Sequence, residues 1–147
     1  MADNLILKVK KFDINLPLPI RHTSGAACFD LYARLDTEIA SKSFGKIPLN
    51  VAVELPQGHW AVLAARSSTH MLGLIPANGI GIIDEDYCGE EDEYQFLAYN
   101  VTALPIMVRR GTRIAQMLVL PSIPIQIHEI TELGQPSRGG FGSTGHV

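Results

Sequence analysis

The sequence is poor in cysteine, carries little excess charge and contains no long apolar run. Its two cysteines, Cys28 and Cys88, form no C-x-x-C pair and lack the spacing of metal ligands, so a reduced cytoplasmic protein is the simpler interpretation and one disulfide is the alternative. Because the net charge is −3 at pH 7, we expect neither nucleic-acid binding, which needs a basic surface, nor attraction to anionic membranes. Residues 5–7 are apolar but Lys8 follows at once, so we expect neither a signal peptide nor a membrane span.

Proline restricts the fold more than any other residue. Nine prolines among 147 residues leave little room for long helices, while an apolar content of 46% suffices for the core of one domain. Short alternating apolar segments separated by Pro, Gly and Asn indicate an all-β sandwich, jelly roll or barrel. The predicted strands cover residues 5–9, 51–55, 59–65, 95–101, 113–120 and 123–130. One short helix is predicted over residues 67–72, with Ser67 or Ser68 as its N-cap and Gly73 at its end.

Asn78-Gly79 is a typical pair for a type I′ turn, because both central positions of that turn need a positive φ. The pair predicts a β-hairpin between residues 74–75 and 80–83, whose return strand ends at Asp84. A carboxylate at the end of an apolar strand can serve as a general base, and the alternative is that it caps a turn. Tyr87 either presents its ring to a ligand or is a half-buried surface side chain.

Other segments have the composition of a phosphate site. Residues 65–68 end one strand and open the predicted helix, where backbone N–H groups, hydroxyls and the fork of Arg66 can bind phosphate; a surface ion pair is the alternative for Arg66. Gln116 either donates to phosphate or water or is a satisfied half-buried amide. Asp30 is flanked by apolar residues, and a buried carboxylate needs a partner, either a cation or a backbone N–H.

The glycine-rich end of the chain, residues 138–145, cannot build a core. It nevertheless combines Arg138, the ring of Phe141, two hydroxyls and many unhindered N–H groups, which suit a phosphorylated, ring-bearing ligand. A frayed polar tail is the alternative.

The remaining charged residues and histidines suggest no further site. The acidic run 90–93 is expected to be a solvated loop. The five histidines are scattered along the chain, which disfavours a zinc site.

Together these segments resemble the trimeric dUTP diphosphatase (dUTPase) family, in the family's motif order and over nearly the whole chain. The third and fifth motifs are specific, whereas the first, second and fourth would be weak alone. The five motifs lie at residues 26–33 (AACFDLYA), 65–68 (ARSS), 78–89 (NGIGIIDEDYCG), 111–116 (GTRIAQ) and 140–145 (GFGSTG).

The resemblance implies an all-β, jelly-roll-like β-barrel subunit of a homotrimer, in which three subunits build each active site. Residues 1–137 would form the barrel domain, and residues 138–147 would form a tail that closes over a site made by neighbouring subunits. The implied reaction is the Mg²⁺-dependent hydrolysis of dUTP to dUMP and pyrophosphate. That reaction limits uracil incorporation into DNA and supplies dUMP for thymidylate synthesis.

The resemblance also implies a role for each matching residue. Asp84 would activate the water that attacks the α-phosphorus, and Tyr87 would leave no room for a 2′-hydroxyl. Asp30 would hold a water on Mg²⁺ rather than the metal itself. The residues that would hold the triphosphate and stabilise its charge are Arg66, Ser67 and Gln116, with Ser68 beside them. The other implied substrate contacts are Asn78, Gly79, Gly81 and Ile83 at the uracil, and Arg138, Phe141, Gly142, Ser143 and Thr144 in the tail.

Two functions remain as alternatives to hydrolysis. The Arg-Ser-Ser sequence at 66–68 also occurs in the related dCTP deaminase family, but those enzymes need a glutamate where this chain has Leu97, which cannot move protons. Some members of the fold act as nucleotide-dependent regulatory binding proteins, and the retained Asp84 and Tyr87 make that at most an additional role.

The chain also departs from the usual family motifs, since Cys28 and Ser68 stand at positions that usually hold glycine.

Overall fold

The computed structural model describes residues 5–140, which form short β-strands and a single turn of 3-10 helix, Thr69–Leu72. The all-β prediction is therefore confirmed. No helix in this range is long and apolar enough to cross a membrane. The strands are β1 (Lys8–Lys11), β2 (Phe29–Tyr32), β3 (Thr37–Ile39), β4 (Phe44–Pro48), β5 (Val51–Glu54), β6 (His59–Ala65), β7 (Leu74–Pro76), β8 (Gly81–Ile83), β9 (Gln95–Asn100), β10 (Ile106–Val108) and β11 (Arg113–Pro121).

The strands form two larger antiparallel sheets and two strand pairs. One sheet has the order β2-β11-β6-β8 and the other β4-β9-β7, while β1 pairs with β5 and β3 with β10. The longest strand, β11, pairs with β6 along its length, from Ala115 opposite Ala65 to Pro121 opposite His59. Successive side chains of a strand point to opposite faces, so both sheets contribute alternate residues to one core. Its largest fully buried side chains include Leu31, Ile47, Leu74, Tyr94, Ile114 and Met117.

The predicted helix is present but shorter than expected. It covers Thr69–Leu72 rather than 67–72, and Ser68 makes no capping hydrogen bond through its side chain. Gly73 ends it as predicted, in the left-handed region at φ 79°. The hydroxyl of Thr69 makes its hydrogen bonds outside the helix: it accepts from the N–H of Arg66 at 3.0 Å and donates to the Ile114 carbonyl at 2.9 Å. This contact fixes the end of β6 against β11.

The predicted hairpin at Asn78-Gly79 is wrong in its pairing. The turn exists, since the Gly79 N–H donates to the Pro76 carbonyl at 3.3 Å, but Gly79 has positive φ and Asn78 does not. The flanking strands then separate: β7 pairs with β9, and β8 pairs with β6. Leu74 in β7 is completely buried, so β7 gains more from the β9 sheet than from its sequence neighbour. The turn therefore connects the two sheets, and Asp84 still follows directly after β8.

The strand predicted over residues 123–130 is also wrong. β11 ends at Pro121, and residues 122–140 contain no strand and are exposed throughout. Pro121 and Pro124 lack the N–H that a strand ladder needs. The alternating isoleucines that suggested a strand face solvent, with Ile127 96% exposed.

Candidate active site

A cleft of about 270 Å³ lies beside β8, between the two sheets. It brings together five predicted site residues, namely Asn78, Gly81, Ile83, Asp84 and Tyr87. Sequence reasoning missed three of its other lining residues, Leu63, Ile82 and Gln95, whose only sequence signal is strand alternation, which does not reveal which strand lies beside which. The fourth, Leu97, was singled out only as the position where a deaminase needs a glutamate. Gly79 lies in the preceding turn and does not line the cleft.

Glycine at position 81 keeps the cleft open where β8 approaches β6. A Cβ atom placed on Gly81 would lie 3.1 Å from the Cβ of Leu63, closer than ordinary side-chain contacts. Gly81 is also the Cα partner of Leu63 in the β6–β8 ladder. Any larger residue would push the floor of the cleft away from β6, so the glycine of the motif has a packing reason here.

The turn after β8 exposes Asp84 while holding its backbone. The carbonyl of Asp84 accepts from the N–H of Tyr87 at 3.2 Å, which closes the turn. The next residue, Glu85, accepts from the N–H of Gly58 at 2.7 Å and ties the turn to the loop before β6. Asp84 itself is solvent-exposed at the cleft. An exposed carboxylate on an anchored turn can reach a water molecule, as general-base chemistry requires.

Tyr87 lies at the cleft with one face against a second tyrosine. Its side chain is 41% exposed, and its ring centroid is 6.2 Å from that of the buried Tyr94. The ring is therefore neither fully solvated nor part of the core. It presents an aromatic surface to whatever occupies the cleft.

A second cluster forms around Asp30, which is 8% exposed. Its Oδ1 accepts from Nε of Arg66 at 3.0 Å, and its Oδ2 lies 3.3 Å from Nη1 of Arg113 and 3.2 Å from Nε2 of His22. The partner of this carboxylate is thus cationic rather than backbone, which decides between the two alternatives stated above. Arg66 also donates through Nη1 to the hydroxyl of Ser68 at 3.3 Å.

Gln116 and the serines complete this second cluster. Gln116 is the Cα partner of Asp30 in the β2–β11 ladder, and its side-chain amide donates to the Ala65 carbonyl at 2.9 Å. One of its two N–H groups is therefore used internally, and the other stays available to a ligand. Ser67 and Ser68 are exposed on the loop that leads into the 3-10 helix. A cavity of about 340 Å³ beside this loop is lined by Arg66, Ser68, Thr69, Met71, Leu72, Thr112 and Arg113.

The two clusters lie at opposite ends of β6. Ile83, directly before Asp84, is opposite Ala61, whereas Arg66 follows β6 five residues further along the chain. Five residues of extended strand span roughly 17 Å. The cavities at the two ends share no lining residue. One chain therefore keeps the Asp84 and Arg66 side chains well apart.

The tail residues fall mostly beyond the part of the chain that is described. Arg138 is exposed in a segment without regular secondary structure. Phe141, Gly142, Ser143 and Thr144 lie outside the described residues.

The acidic run 90–93 is not a uniformly solvated loop, which corrects the expectation from the sequence. Glu93 is 8% exposed, and both of its carboxylate oxygens bind the guanidinium of Arg34, at 2.7 and 2.8 Å. Oε1 of Glu93 also accepts from the N–H of Asn50 at 2.8 Å. The hydrogen bond to Glu93 raises the pKa of Arg34. Glu90 remains exposed and pairs with Lys10 at 2.7 Å, so the run divides into a buried and a solvated part.

Residues 5–140 contain no group of three or more His, Cys, Asp or Glu side chains that could hold a metal ion by themselves. Mg²⁺ commonly keeps several waters and uses one or two carboxylates together with substrate phosphates. Asp30 fits that mode of binding through Oδ1, which has a second lone pair beyond its contact to Arg66, whereas Oδ2 already lies near both Arg113 and His22. The residues present therefore suit a metal that arrives with a phosphate ligand.

A family model, a sequence relative and solved structures all indicate similarity to dUTPases. A model of the dUTPase family matches residues 15–145. The chain is 41% identical over 118 residues to an SPbeta prophage-derived deoxyuridine 5'-triphosphate nucleotidohydrolase of Bacillus subtilis, with 79% of this chain and 82% of that protein covered. It resembles the crystal structure of dUTPase from Streptococcus mutans with a TM-score of 0.74 and 29% identity, over 82% of this chain and 98% of that one. A mutant dUTPase from phage phi11 of S. aureus, which coordinates a structural Mg(II) ion, shares the fold at 19% identity and a TM-score of 0.77, over 87% and 98% of the two chains.

Proposed function

The chain belongs to the dUTPase family and hydrolyses dUTP, and we propose that it binds the nucleoside in the Asp84 cleft and the triphosphate at the Asp30–Arg66 cluster. The observation that carries this assignment is the cleft beside β8. It places Asp84, Tyr87 and the glycine-containing strand around one volume. A strand edge, an aromatic ring and an exposed carboxylate are the groups that a base, a deoxyribose and a reacting water need.

Asp84 is the proposed general base. Its carboxylate orients a water molecule and takes its proton while the water oxygen attacks the α-phosphorus. The bond between the α-phosphorus and the oxygen bridging to the β-phosphate breaks, so dUMP and pyrophosphate form. The anchored turn supports this role, because the Tyr87 and Gly58 contacts keep the carboxylate at the end of β8.

The β8 strand and the preceding turn are proposed to select the nucleoside. Backbone groups of 79–83 and the side chain of Asn78 bind the uracil edge, and a tight strand edge leaves no space for the methyl group of thymine. Tyr87 packs against the deoxyribose and disfavours a 2′-hydroxyl. The closeness of Gly81 to Leu63 supports this reading, since the cleft has little spare room at its floor.

The second cluster is proposed to bind the phosphates. Arg66 and Gln116, together with Ser67 and Ser68, stabilise the negative charge that builds on the leaving pyrophosphate. Mg²⁺ bound to the triphosphate would supply further charge neutralisation there. Asp30 would hold a water of that ion, while its Oδ1 orients Arg66.

The distance between the two clusters supports active sites that are shared between subunits, as in the proposed homotrimer. A nucleoside in the Asp84 cleft of one chain cannot place its phosphates at Arg66 of the same chain, roughly 17 Å further along β6. We propose that a neighbouring subunit supplies the phosphate cluster. Residues 138–147 are proposed to close over the site, with Phe141 on the uracil and Arg138, Gly142, Ser143 and Thr144 at the phosphates.

Deamination of dCTP is the weaker alternative. The position that would need a proton-transferring glutamate holds Leu97, and this apolar side chain lines the cleft. An aliphatic group at that point can exclude water but cannot move a proton. The cleft therefore suits hydrolysis at the phosphates rather than chemistry on the base.

The test is pyrophosphate release from dUTP, dCTP, dTTP and UTP with Mg²⁺, together with ammonia release from dCTP. Selective hydrolysis of dUTP is the expected result. Ammonia from dCTP would favour the deaminase instead. No reaction with any of the four nucleotides would contradict the assignment.

A further inference from the structure

Behind Tyr87 lies a second tyrosine that the proposed reaction does not use. The rings of Tyr87 and Tyr94 have centroids 6.2 Å apart and planes inclined by 27°. This geometry falls within the distance range of favourable aromatic pairs. Tyr87 is 41% exposed and lines the cleft, whereas Tyr94 is 1% exposed. One ring faces the substrate volume, and the other supports it from the core.

Tyr94 is the rigid member of the pair. Its N–H donates to the Val51 carbonyl at 2.8 Å, and its carbonyl accepts from the N–H of Leu49 at 2.9 Å. The residue before it, Glu93, is held by its buried ion pair. Tyr87 lies in an exposed turn instead. The orientation of the Tyr87 ring therefore depends on the surface that Tyr94 offers it.

The ring of Tyr94, and not its hydroxyl, explains its presence at this position. The hydroxyl oxygen is buried and makes no hydrogen bond to any residue within 5–140. A buried hydroxyl without a partner is unfavourable, since it loses its hydrogen bonds to water. Phenylalanine would provide the same ring without that penalty. Tyr94→Phe is consequently a matched control for any test of the ring.

We propose that Tyr94 is a positioning residue for sugar selection: its ring fixes the Tyr87 ring and thereby sets how strongly the site rejects a ribose. This inference rests on the proposed function, in which Tyr87 packs against the deoxyribose. Tyr94 does not line the cleft, so it acts on the substrate only through Tyr87. Without it, the Tyr87 ring can tilt away and leave space for a 2′-hydroxyl.

The experiment compares kcat/KM for dUTP and UTP in the unmodified protein, Tyr94→Leu and Tyr94→Phe. Tyr94→Leu is expected to lower the dUTP-to-UTP ratio by roughly threefold to tenfold, the size of one aromatic contact. Tyr94→Phe is expected to keep the original ratio. If Tyr94→Leu does not fold by circular dichroism, Tyr94→Met, which fills irregular space, takes its place with the same expected loss.

A second comparison separates positioning from general destabilisation. In a Tyr87→Leu background, Tyr94→Leu should leave the ratio unchanged, because the residue it acts through has been removed. Equal losses on dUTP and UTP in Tyr94→Leu, or a further drop of the ratio in the double variant, would overturn the proposal. An unmodified protein that does not prefer dUTP would overturn the proposed function itself, and that result is distinguishable because it appears before any substitution.

Discussion

Arg66 donates its Nε proton to Oδ1 of Asp30 across 3.0 Å, which joins two motifs 36 residues apart in the chain. The same carboxylate contacts Arg113 from β11. Asp30 therefore lies among cations from two other segments, and its negative charge holds their guanidinium groups together without a ligand. Such preorganisation would lower the cost of ordering these side chains around the phosphates that the cluster is proposed to bind.

The branched guanidinium group of Arg66 should contribute to activity through its several N–H donors as well as through its charge. Arg66→Lys keeps a positive charge but cannot contact Asp30, Ser68 and the Arg113 carbonyl at once. We expect kcat/KM for dUTP to fall on the order of a hundredfold. Steady-state pyrophosphate release measures this, with Arg109→Lys as the control, because Arg109 forms an exposed pair with Asp36. Similar rates for the Arg66 variant and the control would contradict the role of Arg66.

Asp84→Asn should abolish turnover while nucleotide binding survives. An amide keeps the size of the carboxylate and can still hold a water, but it cannot take the proton. Single-turnover hydrolysis and calorimetric binding of a non-hydrolysable dUTP analogue measure the two effects. Asp86→Asn is the matched control, since Asp86 is exposed in the same turn and does not line the cleft. Near-normal turnover of the Asp84 variant would refute the mechanism.

Removal of residues 138–147 should strongly reduce turnover and leave the oligomeric state unchanged. The described strands end at Pro121, so the truncation removes none of their pairing. Light scattering reports the assembly, and pyrophosphate release reports the rate. A shorter truncation that removes only residues 146–147 is the control. Unchanged activity of the longer truncation would show that the tail is merely a frayed end.

Glu93→Gln should destabilise the fold. The substitution retains an acceptor for the Asn50 N–H but leaves Arg34 without its counter-charge. We expect the free energy of unfolding to fall by about 2–4 kcal/mol. This is toward the lower part of the range for breaking a buried ion pair, because the Arg34 side chain is 27% exposed. Unfolding in urea measures the free energy of unfolding. Glu91→Gln, at an exposed position in the same run, should change it little.

Burial raises the pKa of Tyr94 above its ordinary value of 10.0. In the unfolded chain the phenol ionises at that ordinary value, whereas in the folded chain it stays neutral to higher pH. The contribution of the neutral phenol to the free energy of unfolding is therefore fully present below pH 10 and is lost as the pH rises above it. The slope from one such group is at most about 1.4 kcal/mol per pH unit. Tyr94→Phe should remove this part of the alkaline decline in the free energy of unfolding. An identical decline in the two proteins would show that Tyr94 ionises normally while folded.

Sequence patterns predicted the parts of the site that depend on local chain geometry. Alternation and punctuation indicated an all-β chain, and the position of Asp84 directly after β8 followed from the apolar residues that precede it. Cationic partners for Asp30 were one of two open alternatives, because the sequence shows that a buried carboxylate needs a partner but not which one. The cleft residue Gln95 gave no functional signal, since its strand is recognisable but the neighbouring strand is not. Leu97 was recognised as the position where a deaminase needs a glutamate, but not as part of this cleft.

The sequence by itself determined the β class, the short helix before Gly73 and the position of Asp84 at a strand end, because backbone preference and alternation act over a few residues. Only the tertiary structure decided that β7 and β8 enter different sheets, that Glu93 is buried and that Tyr94 lies behind Tyr87. The first two depend on contacts between segments far apart in the chain. Tyr94 is only seven residues after Tyr87, but its place is fixed by backbone hydrogen bonds to the distant Leu49 and Val51. Their energies are set by packing and desolvation in three dimensions, and short-range sequence patterns do not record them.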